Sequence, residues 1–369
     1  MSGPAGQRKV LVAVSGGVDS AAAACLLLEQ GYEVVAAFLC TQRAEGGNPR
    51  ACCSPQDVAD ARRVAELLGI KLVTLPVTQQ FNWLAASAAR EYVRGRTPNM
   101  CITCNAKIKI GLLLDLADQV GAAHLATGHY ARMLEQGGEA WIARAANRAK
   151  DQSYVLMGLD DSQRRRLMLP LGDISDKRIV RQIATKHGLP FAQKAESQDA
   201  CFMPDGGVEE LLRQHGPEGL REGDVLDVQG RVVARHQGYG CYTVGQRRGL
   251  GFAAGQRWYV CSVDPERATV TVGPRESLAV SGLSASGAIW HTQTPASFTA
   301  RVQVRYSSPA LAAQVQRLDD GRFDVRFCEP AGPVAPGQAA VIYDEQERVV
   351  GGGWIDSTQP TPHEADSGL

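Results

Sequence analysis

The sequence predicts a doubly wound α/β domain followed by two smaller β-rich domains. Over the first 200 residues, short β-branched runs alternate with longer amphipathic stretches, a pattern typical of a parallel sheet covered by helices. From about residue 206, short alternating runs broken by Gly, Pro and Asp indicate strands without intervening helices. We therefore expect an α/β domain at 1–205, a central β-rich domain at 206–278, a C-terminal β-barrel-like domain at 279–356 and a disordered tail at 357–369.

The α/β region can be divided into strands and helices in order. Gly31 and Gly69 each follow an Ala- and Leu-rich amphipathic stretch, where glycine commonly ends a helix. Apolar β-branched runs between the helices predict buried strands. The expected strands cover 9–14, 33–39, 70–75 and 123–127, and the expected helices cover 20–30, 55–68, 81–93 and 106–120.

The β-rich regions show period-two alternation instead. In the central region this pattern predicts strands at 225–228, 232–235, 259–263 and 268–272. In the C-terminal region it predicts strands at 300–306, 313–318, 322–327 and 339–343. The last 13 residues are polar and contain proline, which favours a disordered tail.

Composition excludes several classes of protein. The 369 residues are 44% hydrophobic and 21% charged, which excludes a largely disordered chain. The net charge is zero, so any nucleic acid must bind a local basic patch rather than bulk positive potential. No apolar run reaches the ~18 residues of a membrane span, and we expect a soluble, cytoplasmic protein without a membrane partner. Its ten cysteines should then be reduced thiols, kept for packing or for chemistry.

The strongest motif is SGGVDS at residues 15–20, here called the phosphate loop, between the first strand and the first helix. Its glycines permit a tight turn, while helix N-terminal amides and the hydroxyls of Ser15 and Ser20 can face a phosphate. No Gly-Lys-Ser/Thr follows, so the loop is not a Walker motif and classical γ-phosphate transfer is disfavoured. The alternative interpretation of these six residues is a glycine turn in which Asp19 or Ser20 caps the helix.

The phosphate loop resembles the SGGxDS signature of the PP-loop ATP pyrophosphatases. This resemblance implies cleavage of ATP between its α and β phosphates, leaving an adenylated substrate and pyrophosphate. Mg²⁺ would bridge the phosphates with help from Asp19. The implied ATP-binding residues are Ala13, Val14, Ser15, Gly16, Gly17, Val18, Asp19, Ser20, Leu39 and Gly128. His129 follows a strand and either lies near the nucleotide or is a packed histidine; His236 is similarly undecided.

Two cysteine motifs lie about a hundred residues apart. The segment TPNMCITCN at 97–105 precedes a predicted helix, and Lys107 and Lys109 follow it, so we expect a lowered pKa for Cys104. The second motif, ESQDACF at 196–202, contains Cys201. We expect packing roles for Cys25, Cys40, Cys241, Cys261 and Cys328 and leave Cys52 and Cys53 open.

Together these motifs resemble the tRNA-specific 2-thiouridylases, a family within the PP-loop group. The matching segments extend along nearly the whole chain, at 97–105, 127–130, 150–154, 196–202, 236–238, 242–251, 305–306, 336–338 and 351–353. The resemblance implies ATP-dependent 2-thiolation of the tRNA wobble uridine, with Cys104 as nucleophile and Cys201 carrying a persulfide supplied by a sulfur-donor protein, either a relay protein or a cysteine desulfurase. Implied contacts with the target base or tRNA are Asn99, Met100, Cys101, Lys150, Asp151, Gln152, Arg305 and Tyr306.

One position departs from the family pattern. The family commonly reads TPNPDxxCN, whereas Met100 and Cys101 stand here in place of its second proline and its aspartate. The roles of that aspartate therefore do not transfer to Cys101. Two hypotheses follow for the three thiols: Cys101, Cys104 and Cys201 hold an iron–sulfur cluster that binds sulfide, or Cys101 is a bystander while the other two perform persulfide chemistry.

Basic residues elsewhere suggest further tRNA contacts. Arg247 and Arg248 add charge, and a helical region containing Arg164–Arg166, Lys177, Arg178 and Arg181 could neutralise phosphates. A solvated helix face explains the arginine triplet equally well. Two other functions remain as alternatives: another PP-loop ligase or amidotransferase, which leaves the paired thiols unexplained, and a catalytically silent RNA-binding protein.

Overall fold

The computed structural model describes residues 8–41, 55–189, 201–251 and 257–361, and the chain divides into two compact units. The first unit comprises 1–83, 101–203 and 346–349, and the second comprises 84–100, 204–345 and 350–369. Across the described ranges, every helix is too short or too polar to cross a bilayer. The division into three domains and a tail stays a prediction.

The first unit is built on a five-stranded parallel sheet in the order β3-β2-β1-β4-β7. A separate antiparallel hairpin, β5–β6, lies between β4 and β7 in the chain. The strands are β1 Lys9–Ala13, β2 Glu33–Cys40, β3 Lys71–Pro76, β4 His124–Ala126, β5 Ala131–Gln136, β6 Glu139–Arg144 and β7 Leu167–Met168. The helices are α1 Val18–Glu29, α2 Pro55–Leu68, α3 Thr78–Val93, α4 Met100–Thr103, a π-helix Cys104–Ile110, α5 Gly111–Gln119, α6 Asp161–Arg166 and α7 Lys177–Lys186. Of these, α3 belongs to the first unit only up to Trp83, and α4 only from Cys101.

The strand order of this sheet determines where a ligand can bind. From β1 the chain proceeds to β2 and β3 on one side, and it later returns to place β4 on the other side of β1. The gap between the carboxyl ends of β1 and β4 is therefore the topological switch point, where open α/β sheets bind ligands. Buried β1 residues Val10 and Val12 pack with Ala24 and Leu27 of α1, so the core fixes the start of α1 against this edge.

The second unit contains α8 Gly207–His215 and two β structures. A four-stranded sheet in the order β10-β11-β8-β9 consists of β8 Gly223–Asp227, β9 Val232–His236, β10 Tyr259–Asp264 and β11 Thr269–Gly273. A closed six-stranded barrel follows, formed by β12 Val280–Trp290, β13 Ser297–Gln303, β14 Leu311–Arg317, β15 Phe323–Ala331, β16 Ala339–Tyr343 and β17 Val349–Pro360. The predicted fold class is thus confirmed: a parallel sheet with helices, then a small β domain and a β-barrel.

The structure differs from the predicted elements in two informative places. The helix expected at 106–120 begins at Met100 and includes a π-helical segment starting at Cys104. The expected tail begins too early, because β17 continues to Pro360 and pairs with β12, with Leu283 opposite Thr358. Backbone pairing in a closed barrel outweighs the polar composition of 357–360. The remainder of that expected tail, 362–369, lies outside the described residues.

Candidate active site

The phosphate loop is held closed by its own polar groups. The Ser15 amide donates to Ser20 Oγ at 3.0 Å, and Ser20 Oγ in turn donates to the Gly17 carbonyl at 3.1 Å. Gly16 has φ +73°, and a Cβ there would lie 2.8 Å from the Asp57 carbonyl oxygen. Only glycine satisfies both the backbone angle and the close approach. Contacts within the loop and with Asp57 therefore fix the shape of the loop.

Gly128, which follows β4, lies directly against this loop. A Cβ at Gly128 would be 2.7 Å from the Ser20 amide nitrogen and 2.9 Å from the Asp19 carbonyl carbon. The segments after β1 and β4 therefore meet at the switch point. Ala13 ends β1 and pairs with Ala37, two residues before Leu39 near the end of β2. The predicted ATP-binding residues thus lie along the carboxyl edge of the sheet, while their role in binding ATP stays a prediction.

Asp19 is the most strongly contacted side chain of the loop. Lys177 Nζ, on α7, lies 2.6 Å from both carboxylate oxygens of Asp19, and the Tyr130 hydroxyl donates to the same carboxylate at 2.7 Å. The Lys177 ammonium also lies 5.4 Å from the Tyr130 ring centroid. Lys177 was expected in a basic helical region that could neutralise tRNA phosphates, but its side chain is mostly buried beside the loop and ion-paired with Asp19.

Neutral His129 lies next to the same edge. Its Nδ1 is 2.8 Å from the Thr127 hydroxyl. Burial, reinforced by the nearby charge of Lys109, lowers the pKa of His129 to about 3. His129 is therefore uncharged at neutral pH and can only exchange hydrogen bonds with a ligand. His236 is a packed histidine, buried in the second unit with Nε2 3.0 Å from the Ala268 carbonyl oxygen.

The three motif cysteines act on one another electrostatically within the first unit. The thiol of Cys201 raises the pKa of both Cys101 and Cys104, so all three lie within Coulomb range. Cys104 is buried and Cys101 is exposed. The low pKa expected for Cys104 is wrong: burial raises it to about 11, with Lys109 lowering it in part. The helix begins four residues earlier, at Met100, so its N-terminal amides do not stabilise the thiolate as the sequence suggested.

The two lysines after Cys104 have different surroundings. Lys109 is half-buried, and its charge lowers the pKa of Cys101, Cys104 and His129. Lys107 is exposed and instead lies over the ring of Trp83, 5.6 Å from the centroid. Of the two lysines expected to favour the thiolate, only Lys109 is therefore placed to do so.

The π-helix that carries Cys104 is stabilised from a distant part of the chain. The Gln163 side-chain amide donates to the Ala106 carbonyl at 2.8 Å, while its oxygen accepts from the Asp160 amide in a capping box at the start of α6. Asn105 is buried, and its amide group donates to the Val155 carbonyl at 3.1 Å. Short π-helical segments frequently occur at functional sites, because they reorient side chains within a helix.

The iron–sulfur hypothesis requires three thiols that converge on one cluster. Across 8–41, 55–189, 201–251 and 257–361, no group of three His, Cys, Asp or Glu side chains is arranged to hold a metal ion. Cys101, Cys104 and Cys201 all belong to these ranges. The three thiols are close enough to shift one another's pKa, but they are not arranged to bind a cluster. We therefore derive no reaction step through such a cluster.

The remaining cysteines fit local packing to different degrees. Cys25 is buried, and desolvation raises its pKa to about 12. Cys328 is exposed, because side chains alternate along β15 and it points to the outer face. The packing role expected for Cys328 is therefore wrong. Cys52 and Cys53, together with Glu196–Ala200 of the second motif, lie outside the described residues.

The segment before Cys101 belongs to the second unit and is held there by the backbone. The Thr97 amide donates to the Pro336 carbonyl at 2.8 Å, and the Gln338 side chain donates to the Thr97 carbonyl at 2.9 Å. The Asn99 amide donates to the Gly337 carbonyl at 3.3 Å. The predicted base contact Met100 is only 8% exposed, so its side chain is largely unavailable to a base in this state.

The predicted tRNA residues at 150–152 are partly structural. The Asp151 carboxylate accepts from the Ala145 amide at 2.9 Å and from the Ser153 hydroxyl at 2.9 Å. Gln152 Oε1 accepts from the Tyr130 amide at 2.9 Å. Gln152 thus positions the tyrosine that contacts Asp19. Lys150 remains half-buried within a short 3₁₀ turn.

Two motifs of the second unit meet at Arg305. Its guanidinium donates to the Val244 carbonyl, which belongs to the segment 242–251. Tyr306 is 46% exposed, and Arg247 and Arg248 are exposed as well. The roles of these residues in tRNA binding stay predictions.

All three arginines of the triplet form hydrogen bonds or ion pairs within the first unit. Arg164 is buried and donates to the carbonyls of Ala140 and Leu159. Arg165 and Arg166 are ion-paired with Asp161 and Asp118, each at 2.7 Å. The charges of Arg165 and Arg166 are therefore already balanced by aspartates rather than left for a phosphate.

Sequence reasoning missed the roles of Tyr130, Lys177 and Gln163. Tyr130 stood within a recognised segment, yet its contact spans 111 residues of the chain. Lys177 contacts Asp19 across 158 residues and Gln163 contacts Ala106 across 57. The single signal in the sequence was the position of Tyr130 after β4, at the edge where the phosphate loop lies.

Comparison with known proteins matches three family models along the chain. A tRNA methyl transferase HUP domain matches residues 8–205, a tRNA methyl transferase PRC-barrel domain matches 209–274, and an aminomethyltransferase beta-barrel domain matches 280–355. Among solved structures, a 4-thiouridine synthetase–RNA complex with bound ATP is 18% identical to this chain. The match covers 57% of this chain and 50% of that one, and its TM-score of 0.37 is too low to support an argument.

Curated relatives match almost end to end. The tRNA-specific 2-thiouridylase MnmA of Carboxydothermus hydrogenoformans is 42% identical over 360 residues, covering 95% of this chain and 98% of the relative. The protein of the same name from Chloroflexus aurantiacus strain J-10-fl is 44% identical over 352 residues, covering 94% and 98%. The resemblance inferred from the motifs is confirmed: the chain belongs to the tRNA-specific 2-thiouridylase family.

Proposed function

We propose that this chain catalyses the ATP-dependent 2-thiolation of the wobble uridine of tRNA. The observation that carries the proposal is that one compact unit holds both a preformed phosphate loop and the thiols of Cys104 and Cys201 within electrostatic reach of each other. An adenylating enzyme that transferred nitrogen or formed an amide would need the phosphate loop but not the two thiols. Membership of the 2-thiouridylase family supports the same assignment.

The first step solves a leaving-group problem. A uridine C2 oxygen leaves poorly, so it attacks the α-phosphorus of ATP and becomes an adenylate, with pyrophosphate as the leaving group. The backbone amides of the phosphate loop and the hydroxyls of Ser15 and Ser20 would hold the phosphates. The neutral imidazole of His129 could donate or accept a hydrogen bond at the same edge without adding charge. The target base must leave its stack to reach this site.

The second step delivers sulfur from a persulfide on Cys201. The terminal sulfur attacks C2, forming a C–S bond, and AMP departs with the former carbonyl oxygen. The Cys104 thiolate then attacks the Cys201 sulfur and breaks the persulfide S–S bond, which releases 2-thiouridine and leaves a Cys104–Cys201 disulfide. An external thiol reductant restores both cysteines, and a sulfur-donor protein recharges Cys201. The alternative release of hydrosulfide by Cys104 needs the same two thiols.

The proposed cofactors are ATP and Mg²⁺. Mg²⁺ would accompany the ATP phosphates, but Asp19 does not fit as its direct ligand in this state, because Lys177 contacts both carboxylate oxygens. No step is derived through a metal held by Asp19. The proposed partners are tRNA and a sulfur-donor protein, and we propose a cytoplasmic location without a membrane partner, where tRNA is available.

The test compares pyrophosphate release from ATP with and without bulk tRNA lacking the modification. We expect release that depends on tRNA, and mass spectrometry of digested tRNA should then show 2-thiouridine when a persulfide donor is present. Release without tRNA would favour a small-molecule ligase, and tRNA binding without release would favour a silent RNA-binding protein. Iron and sulfide analysis of anaerobically purified protein distinguishes the sulfur routes, because full activity of an iron-free protein excludes a cluster requirement.

A further inference from the structure

An open pocket on the first unit is not used by the chemistry proposed above. It has a volume of about 330 Å³ and is lined by Gln79, Gln80 and Trp83 of α3 and by Lys107 and Ile108 of the π-helix. Trp83 is 44% exposed, although its helix buries Phe81 and Leu84 in the core. The exposed indole offers a flat aromatic face and a ring N–H donor to a ligand in the pocket.

The charge at this pocket is also available for a ligand. Within the described ranges, Lys107 contacts an aromatic ring, whereas Arg165, Arg166 and Lys177 are each ion-paired with a carboxylate. An exposed cation–π contact is weak, so the ammonium can exchange to a phosphate without great loss. The side-chain amides of Gln79 and Gln80 add hydrogen-bond donors and acceptors suited to the edge of a base.

The pocket lies close to the proposed chemistry along the chain. Lys107 follows Cys104 by three residues in the same π-helix, so the two are less than one helical turn apart, with Lys107 exposed and Cys104 buried. An enzyme that flips a base out of its stack exposes the faces of the bases on either side. Those neighbours lose stacking energy unless an aromatic side chain replaces the lost contact.

We propose that the pocket formed by Trp83 and Lys107 binds an unstacked nucleotide next to the target uridine, with the base on the indole and the phosphate at the ammonium. This inference rests on the proposed function, because it takes the flipped target base as given. The partner is single-stranded RNA of the anticodon loop. A sulfur-donor protein is the competing occupant, and it would not need both an aromatic face and a single cation beside it.

The experiment measures binding of full-length protein to unmodified tRNA at several salt concentrations. Trp83→Ala should weaken binding by roughly 5- to 150-fold with an unchanged salt slope, the range expected for one lost base stack. Trp83→Phe, which retains a stacking face, should recover most of that affinity. Lys107→Gln should reduce the magnitude of the salt slope by about one, the signature of one lost phosphate contact. The matched control is Asn82→Ala, which alters an exposed neighbour outside the pocket lining and should bind like wild type.

Each contrary result has a distinct meaning. If wild type produces 2-thiouridine while Trp83→Ala and Lys107→Gln bind tRNA normally, the pocket assignment is wrong and the proposed function stands. Normal tRNA affinity combined with lost sulfur delivery from a persulfide-bearing protein would identify a protein-docking site and overturn the RNA assignment. A wild-type chain that binds no RNA would overturn both proposals. Equal losses in Trp83→Ala and Trp83→Phe would contradict stacking.

Discussion

The phosphate loop and the thiol site belong to the same compact unit but are prepared for reaction to different degrees. In the loop, Ser15 and Ser20 are already hydrogen-bonded and Asp19 is already ion-paired with Lys177. At the thiol site, burial holds Cys104 as a neutral thiol, with a pKa of about 11. The loop is thus organised for its ligand in the resting chain, whereas the nucleophile is not.

The phosphate loop is thus arranged to bind a ligand, while the Cys104 thiol is not yet in its reactive, ionised form. A thiol of pKa about 11 is ionised in only about one molecule in ten thousand at pH 7. A protonated thiol is a poor nucleophile, so in the proposed mechanism ATP would bind before Cys104 becomes reactive. In that mechanism, a charge or a proton acceptor that arrives with the substrates would activate Cys104. Among the described residues, the charge that already favours the Cys104 thiolate is that of Lys109.

The largest expected effect comes from removing one thiol while leaving the loop intact. Cys104→Ser and Cys201→Ser should each lower tRNA thiolation by at least about 1000-fold, because a serine hydroxyl can neither carry a persulfide nor cleave one. Both variants should retain tRNA-dependent pyrophosphate release, measured with the same ATP concentrations as wild type. The matched control is Cys328→Ser, which alters an exposed thiol on the barrel and should leave both activities unchanged. Loss of pyrophosphate release in the cysteine variants would contradict the separation of the two sites.

Sequence reasoning succeeded where local pattern determines structure. The helix α2, Pro55–Leu68, and the barrel strand β16, Ala339–Tyr343, begin and end where the pattern placed them. In both elements, composition and flanking turns agree with the tertiary structure. The phosphate loop was recognisable for the same reason, since its fold depends on hydrogen bonds within six residues.

The thiol site was predictable in its members but not in its chemistry. Cys101, Cys104 and Cys201 were identified by motif, yet the raised pKa of Cys104 results from burial, which a linear sequence does not report. The π-helix and the pairing of Lys177 with Asp19 likewise depend on contacts between distant segments. Charge alone suggested that Lys177 faces RNA, because the sequence does not show which acid a lysine will meet.

The next largest effect concerns the charge balance of the loop. Lys177→Met should lower adenylation by roughly 100-fold, because it leaves the half-buried Asp19 carboxylate to repel incoming phosphates. Tyr130→Phe removes one hydrogen bond to that carboxylate and should cost roughly tenfold. Pyrophosphate release and ATP affinity are the measurements.

Two controls make the test of Lys177 specific. Lys186→Met alters another lysine of α7, which is paired with Glu29 at the surface, and it should have little effect. Adding Asp19→Asn to Lys177→Met should restore part of the ATP affinity, since the unpaired charge is then gone. A double variant that binds ATP no better than Lys177→Met alone would show that the lysine does not act through Asp19.

A smaller effect should distinguish Lys109 from Lys107. Lys109→Gln should raise the pKa of Cys104 further and slow its alkylation at pH 8 by roughly tenfold, because the thiolate loses the positive charge that lowers its pKa. The rate should increase about tenfold per pH unit until the pH approaches the pKa of about 11, since only the deprotonated form reacts. Peptide mapping by mass spectrometry assigns the modification to Cys104.

Lys107→Gln is the matched control for that experiment, because it removes the same charge two residues earlier in the π-helix. It should leave alkylation of Cys104 unchanged while altering the salt dependence of tRNA binding. If both variants slowed alkylation equally, the pKa of Cys104 would depend on the total charge of the π-helix rather than on the position of Lys109.

The smallest effect tests how the thiol site is held in place. Gln163→Glu should retain the oxygen that accepts from the Asp160 amide but lose the amide group that donates to the Ala106 carbonyl, placing a carboxylate against that oxygen. We expect a loss of about 1–2 kcal/mol in stability and a change of a few-fold in Cys104 alkylation, because the π-helix loses its external hydrogen bond. Asp160→Ala removes the α6 cap alone and should lower stability by about 1 kcal/mol without changing alkylation. Thermal unfolding and the alkylation assay measure the two quantities separately. If both variants changed alkylation equally, the cap rather than the Gln163–Ala106 contact would position the nucleophile, and the thiol site would depend on local structure as the phosphate loop does.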